Sequence, residues 1–266
     1  MRNTMTLAER KLPISLVVIT KNEASCLAKC LESANFVSEI VVVDSGSTDE
    51  TVKIAERFGA KVFHQDWLGF GPQKQFAVNC ASYDWVLCLD ADEYLSPKLK
   101  ASLQDLFRGE PTDCAYQFPR CNKFLGRFLR HGEGYPDWCL RLFNRQYAQW
   151  SDDLVHEKIV PYDLSLNVGR LKGDLMHESG ESISKYIEKQ NRYTSIQAGL
   201  MHKNGKKASW CKIAISPLVR FFKFYFVKRG YMDGLPGFIH ISVGCFTVFL
   251  KYVKLRVLSE VQETSK

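Results

Sequence analysis

The sequence predicts an α/β protein with a mixed, mostly parallel sheet and a basic, aromatic-rich helical appendage at its C-terminal end. Three observations carry this expectation. Apolar β-branched runs alternate with helical patterns over the first hundred residues, each run ends in polar residues capable of chemistry, and the chain beyond residue 181 turns helical, cationic and aromatic.

The first of these runs, ISLVVIT (Ile14 to Thr20), is followed by EIVVVDS (Glu39 to Ser45) and DWVLCLD (Asp84 to Asp90). They are continuous rather than alternating, and of the length expected for strands buried on both faces. Helical patterns separate them: ASCLAKCLESA, then STDETVKIAERFG with Ser47 or Asp49 as N-cap and Gly59 as stop, then PQKQFAVNCAS. Strands alternating with helices imply parallel pairing through right-handed crossovers, with ligands gathering at the carboxyl ends of the strands. After the helix SPKLKASLQDLF, the segments AYQFPR, WCLRLFNR and VHEKIV read as shorter mixed strands that extend the sheet and build a second wall beside its rim. The expected organisation is a flexible N-terminus over 1–12, a catalytic domain over 13–180 and a helical region over 181–266.

Composition excludes several classes. With 45% hydrophobic and 24% charged residues and no recurring period, the chain is an ordinary globular protein, not a repeat array or a disordered one. Nine scattered cysteines without a CxxC pair argue against a disulfide framework or a zinc site. MRNTMTLAERKLP lacks the apolar core of a signal peptide, so the expected compartment is the cytoplasm. Charge is uneven. Residues 201–266 hold twelve Lys and Arg against three Asp and Glu, so this end of the chain seeks an anionic partner.

The three strand ends, Thr20-Lys21-Asn22-Glu23, Asp44-Ser45-Gly46-Ser47 and Asp90-Ala91-Asp92-Glu93, lie along one rim of such a sheet. Asp90 and Asp92, flanking the small Ala91, converge like charges that call for a cation, and Mg²⁺ or Mn²⁺ bound by one or two carboxylates, waters and substrate phosphates meets that need. The plain alternative is a solvated acidic turn before the helix at Ser96-Pro97. For Asp44 it is a turn former, with Gly46 permitting the tight turn. A rim with Asp44 and Ser45, completed by Thr20, Asn22 and Glu23, also suits a nucleobase and ribose, with helix N-termini facing phosphates. Gly69-Phe70-Gly71 lacks the third glycine of a dinucleotide fingerprint and does not follow the first strand, which weakens an oxidoreductase reading.

VVITKNEA, IVVVDSGSTDET, Lys74 in GFGPQKQFA and WVLCLDADE, in this order, resemble the nucleotide-sugar-binding half of inverting glycosyltransferases of family 2, with their GT-A fold. The resemblance implies that Asp44 holds the uracil or ribose side, that Asp90 and Asp92 hold a metal on the diphosphate, and that Lys74 lies near the nucleotide; the alternative for Lys74 is a solvated helix residue. FLGRFLRHGEGYPDWCLRLFNR, Trp150 and VHEK resemble the lipopolysaccharide inner-core β-1,4-glucosyltransferases, which implies UDP-glucose as donor and a heptose as acceptor. Family members carry a Glu-Asp pair after an arginine-rich strand, where this chain has His156-Glu157; this makes Glu157 the candidate base, with His156 a metal or phosphate contact and Asp137 the alternative base. Arg120, Arg127, Arg130 and Arg141, with Trp150, are the candidate acceptor contacts, since guanidinium forks suit a phosphorylated lipid core; the alternative is plain surface charge.

The tail, from PLVRFFKFYF to FLKYVKLRV, alternates aromatic and aliphatic stretches with Lys and Arg. Its longest uncharged piece, Gly234 to Leu250, reaches only ~25 Å as a helix against a hydrocarbon core of ~30 Å, which argues against spanning. The expectation is a peripheral segment lying on an anionic membrane surface through Lys223, Lys228, Arg229, Lys251 and Lys254, on the inner face of the cytoplasmic membrane. The alternatives are a helical appendage packed on the domain and nucleic-acid binding, the latter disfavoured by the Phe-rich continuity.

Overall fold

The computed structural model describes residues 11–153, 157–163, 167–180 and 182–264. The chain forms two compact units: one contains the residues up to Arg120 together with Asp137–His177, the other contains Cys121–Pro136 and the residues from Glu178 onward.

In the first unit the strands β1 (Leu12–Thr20), β2 (Val37–Asp44), β3 (Lys61–His64) and β4 (Trp85–Asp90) are joined by the helices α1 (Leu27–Ser33), α2 (Thr51–Arg57) and α3 (Phe70–Asn79). They pair in parallel in the order β3-β2-β1-β4. Beyond β4 the sheet becomes antiparallel. The short β5 (Glu93–Leu95), the helix α4 (Pro97–Leu106), β6 (Ala115–Phe124), β7 (Arg127–Phe128) and β8 (Asp137–Asn144) follow in the chain. After them come β9 (Ala148–Trp150), β10 (Ile159–Pro161), β11 (Val168–Arg170) and β12 (Leu175–His177). The order continues from β4 through β8, β6 and β12 to β5, with β11 added to β6 and β9–β10 as a separate ribbon. The mixed, mostly parallel sheet is the one expected. β3, β5, β11 and β12 were not, being three or four residues long and too short for a pattern.

The parallel strands read as unbroken apolar runs because both faces are covered. Ile14, Leu16 and Val18 of β1 pack with Leu27 and Leu31 of α1, Ile54 of α2 and Leu99 and Leu103 of α4. Val17, on the opposite face, joins Val41, Val43 and Ala77 and Val78 of α3. Ser96 caps α4 as its spacing predicts, its Oγ accepting from the Leu99 N–H at 3.3 Å. Gly71, far from any dinucleotide role, lets the start of α3 pass the chain after β9: a Cβ there would lie 2.1 Å from the Ser151 carbonyl oxygen. All nine cysteines are free.

The second unit is helical apart from β7, which pairs with Lys123 and Phe124 at the end of β6. Its helices are α5 (Ile183–Lys203), α6 (Trp210–Phe222) and α7 (Gly234–Thr264). A π turn (Lys223–Val227) and a 3-10 turn (Gly230–Asp233) connect α6 to α7. Ser182 and Ser209 cap α5 and α6 with their hydroxyls. α7 extends beyond the uncharged piece Gly234 to Leu250 on which the expectation against spanning rested, continuing past Lys251 and Lys254. The stretch Gly230–Glu260, of mean hydropathy 1.4 over its most apolar window, is thereby long and apolar enough to cross a membrane by length and composition.

Candidate active site

The pairing register assembles the site. Thr20 lies opposite Asp44 and Ile19 opposite Asp90, so the ends of β1, β2 and β4 stand side by side on one edge. The loops that follow are laced together. Asn22 takes a left-handed conformation (φ 58°) from which its N–H donates to Ser47 Oγ and its Oδ1 accepts from the Thr48 N–H, both at 2.8 Å. The Glu23 and Ala24 N–H groups donate to Thr51 Oγ1 and Asp49 Oδ2. Asp49 also accepts from the Thr51 N–H at the start of α2, whose N-cap position is Glu50 without a side-chain cap; Ser47 bonds Asn22 and Asp44.

Asp44 is buried and forms its own turn, Oδ2 accepting from the N–H groups of Gly46 and Ser47 at 2.9 and 2.8 Å and Oδ1 from the Ser47 hydroxyl. Gly46 needs its φ of 86° for that turn. Ser45 Oγ accepts from Gln73 on α3 at 3.0 Å. Thr20 Oγ1 is buried without a hydrogen-bond partner among the described residues, an orphan of the kind that calls for a ligand or water.

Across the third strand end runs a chain of alternating charges. Lys74, buried on α3 one turn before the core residues Ala77 and Val78, places its ammonium 2.8 Å from Asp90 Oδ1 and 2.9 Å from Glu157 Oε1. It is no solvated helix residue. Arg141 Nη2 lies 2.7 Å from Asp90 Oδ2 and 2.9 Å from Glu93 Oε1. Arg120 then links Glu93, at 3.3 Å, to Asp137, at 2.8 Å. The two candidate bases, Glu157 and Asp137, thus stand at opposite ends of one network through Lys74, Asp90, Arg141, Glu93 and Arg120. Burial works against the charged form of Asp90, but Arg141 and Lys74 overcome it and hold the carboxyl well below the usual range. Burial likewise opposes the Arg141 guanidinium, and Asp90 and Glu93 more than offset it.

Both oxygens of Asp90 therefore face cations, which leaves Asp92 as the other acid for a metal. Its Oδ2 lies 3.1 Å from His177 Nε2, because β12 pairs antiparallel with β5 and sets His177 opposite Glu93. The two are paired with each other; a carboxylate with an imidazole beside it would suit Mn²⁺, completed by waters and phosphate oxygens, better than Mg²⁺, which prefers oxygen ligands alone. Among the described residues no cluster of three or more His, Cys, Asp or Glu side chains is arranged for a metal. His156, the expected contact, lies outside the described residues.

Other expected residues divide. Arg141 and Trp150, assigned to the acceptor, are buried; the Trp150 ring lies beneath Lys74, whose ammonium is 4.9 Å from the ring centroid. They face into the protein because the carboxylates and the core behind β4 claim them. Ala91 is buried between the two aspartates. Arg127 and Arg130 belong to the second unit, where Arg127 donates to the Met232 carbonyl and the Arg130 N–H to Asp233. Glu93 was noted only as part of the acidic run, without a role of its own, and His177 was not singled out. Glu93 stood in plain sight within the acidic run, whereas His177 carried no local signal.

The model of the family described as "Glycosyl transferase family 2" matches residues 15–162. An uncharacterized glycosyltransferase of Rickettsia typhi is 36% identical over 255 residues, covering 92% of this chain and 87% of that protein. The lipopolysaccharide core biosynthesis glycosyltransferase LpsC of Rhizobium meliloti is 31% identical over 252 residues, covering 92% of each. Among solved structures, the mannosyltransferase PcManGT of Pyrobaculum calidifontis, in complex with GDP-Man and Mn²⁺, aligns with a TM-score of 0.50 at 14% identity over 96% of this chain and 88% of that one. A family model spanning more than half of the sequence and relatives aligned over nearly its whole length lead to one conclusion: the chain belongs to glycosyl transferase family 2.

Proposed function

We propose that this glycosyltransferase inverts the anomeric centre of a UDP-sugar, UDP-glucose, and moves the hexose onto a heptose of the lipopolysaccharide inner core, working at the cytoplasmic face of a membrane. The single observation that carries the reaction class is the register that aligns Thr20, Asp44 and Asp90 on one edge, with Lys74 and Glu157 closing over it. The inner-core acceptor is supported by the likeness to LpsC and by the segment from Phe124 to Arg145.

In this reading Thr20, Asn22, Glu23 and the turn Asp44-Ser45-Gly46 receive the nucleoside. Five carboxylates, Asp90, Asp92, Glu93, Asp137 and Glu157, meet three permanent cations at the rim, Lys74, Arg120 and Arg141. Such a surplus of negative charge does not hold a diphosphate unaided. A divalent ion on Asp92 and His177, when bound, neutralises the diphosphate and the charge that develops on the leaving group. Glu157, with Oε1 2.9 Å from the Lys74 ammonium, takes the proton of the acceptor hydroxyl as that oxygen bonds to the anomeric carbon from the face opposite the diphosphate. The bond to the β-phosphate oxygen breaks and UDP leaves with its electron pair. Glu157 is favoured over Asp137 because a single ammonium joins it to Asp90, whereas Asp137 is held by two nitrogens of Arg120 at 2.9 and 2.8 Å.

Calorimetric titration of UDP-glucose in the presence of Mn²⁺ tests the donor, and hexose transfer to a heptose-terminated core tests the acceptor. Saturable donor binding that disappears in Asp92→Ala is expected. Absence of binding, or binding indifferent to that substitution, overturns the reading.

A further inference from the structure

Within the second unit, α6, the two short turns and α7 form a hairpin with unlike sides. Ile213, Gly230, Asp233 and Ile241 are buried, and Gly230 sits so close that a Cβ would lie 2.3 Å from Ile241 Cδ1. The other side is apolar and bare: Leu218 is 70% exposed, Phe222 62%, Val227 65% and Leu235 67%. Side chains of this size on one bend exceed the scattered apolar exposure of an ordinary surface.

The charges around this face have one sign. From Lys189 to Ser259 the chain carries thirteen Lys and Arg and a single acid, Asp233. Asp233 is buried and turned inward, accepting from the N–H groups of Arg130 and His131 at 2.9 and 2.8 Å. Arg220 is paired with Glu133, and Lys254 donates to Asn191, Thr194 and Ser195. Lys223, Lys228 and Arg229, at the bend itself, are exposed. A second copy on this face would set cations against cations, whereas an anionic leaflet offers both acyl chains and phosphates.

Depth follows from packing. The C-terminal half of α7 is fastened to α5 by Lys254 and by Leu255, fully buried with Ala198 and Ala208. The bend holds four of the most exposed apolar side chains, although exposed apolar surface continues along α7 at Phe246 and Val257 and at Trp210 of α6. The fastening of α7 to α5 and the cations at the bend suit entry into one leaflet rather than passage through two. We propose, resting on the membrane-surface reading above, that the α6–α7 bend is a wedge: Leu218, Phe222, Val227 and Leu235 enter the acyl boundary of one leaflet while Lys223, Lys228 and Arg229 pair with lipid phosphates.

Flotation of the full chain with vesicles of phosphatidylcholine, alone or mixed with phosphatidylglycerol, at low and high salt tests the wedge. The unaltered chain floats with the mixed vesicles and retains part of its binding at high salt. Lys223→Ser/Lys228→Ser/Arg229→Ser weakens binding to the anionic vesicles on the order of a hundredfold, as three surface cations would. Leu218→Glu/Val227→Glu/Leu235→Glu abolishes the salt-resistant part while helical circular dichroism and UDP-glucose binding stay unchanged. The wedge is overturned if the unaltered chain does not float, if the apolar variant floats as well as the unaltered chain, or if sedimentation finds a dimer that the apolar variant converts to monomer. Binding abolished entirely by salt would leave the membrane reading standing and remove the wedge alone.

Discussion

Two carboxylate clusters stand at opposite ends of the same parallel strands, and they solve the problem of a buried charge differently. At the amino ends, Glu39 of β2 is buried among the Ser15 hydroxyl, the Ser82 N–H and hydroxyl and the Lys61 ammonium. Among the described residues none of these donors is shared with another carboxylate. At the carboxyl ends, Lys74 divides itself between Asp90 and Glu157, and Arg141 between Asp90 and Glu93. Saturation makes a staple that joins β1, β2 and the entry to β4. Sharing makes a site, because each cation can give up one partner to an incoming diphosphate and keep the other.

The comparison breaks most sharply at the shared end. Glu157→Gln keeps the shape of the side chain and removes the base, so turnover should fall by roughly 10²–10⁴ with donor affinity nearly unchanged. Single-turnover transfer beside calorimetric titration separates the two. Full activity in Glu157→Gln, with loss in Asp137→Asn, would move the proton acceptor to the far end of the charge chain. Asp92→Asn should lower turnover by roughly 10²–10³, the scale of losing one electrostatic stabiliser. It should also weaken the response to added Mn²⁺, read as the ion concentration giving half-maximal rate; an unchanged requirement would detach Asp92 and His177 from metal binding.

At the saturated end the expected loss is stability rather than rate. Burial raises the Glu39 pKa, but the hydrogen bonds from Lys61, Ser15 and Ser82 outweigh it and bring the carboxyl from its ordinary 4.5 to about 2. The folded value is depressed, so the stabilisation is fully present above the ordinary value and disappears as pH falls from 4.5 toward 2. A shift of that size corresponds to about 3 kcal/mol. Glu39→Gln should therefore cost about 3 kcal/mol in urea unfolding at neutral pH, flatten the acid limb of the stability curve, and leave turnover per folded molecule unchanged. Loss of turnover in the folded variant would mean that the two ends are coupled.

The two ends also differ in how readable they were. β1, β2 and β4 announced themselves because burial on both faces removes polar interruptions, and the acidic run from Asp90 to Glu93 stood out for the same reason, being charge placed directly after core. His177 and Arg141 did not. Each acquires its meaning from a partner 85 or 51 residues away, brought close by antiparallel pairings, β12 on β5 and β8 on β4, that local pattern does not encode. Arg141 was read as an acceptor contact, with plain surface charge as the alternative; only the carboxylates behind it account for its burial. The C-terminal helices were legible in kind, whereas the continuation of α7 past Lys251 was hidden because a charge in the sequence does not end a helix whose other face is packed on α5.

The smallest effect sharpens the contrast through two lysines in equivalent company. Lys61 and Lys74 each hold a buried or half-buried carboxylate at less than 3 Å, but the Lys61 side chain is 59% exposed and that of Lys74 only 7%. Water screens the first pair and not the second, and Glu39 keeps its Ser15 and Ser82 donors when Lys61 is removed. Lys61→Ala should thus cost about 1 kcal/mol or less, whereas Lys74→Ala, which leaves part-buried Glu157 without its ammonium and Asp90 with Arg141 alone, should cost more, roughly 1–3 kcal/mol. Parallel urea titrations of the two variants measure the difference. Equal losses would mean that Lys61, not the serines, carries the Glu39 cluster, and the distinction between a staple whose several donors share the load and a site built from shared cations would fall with it.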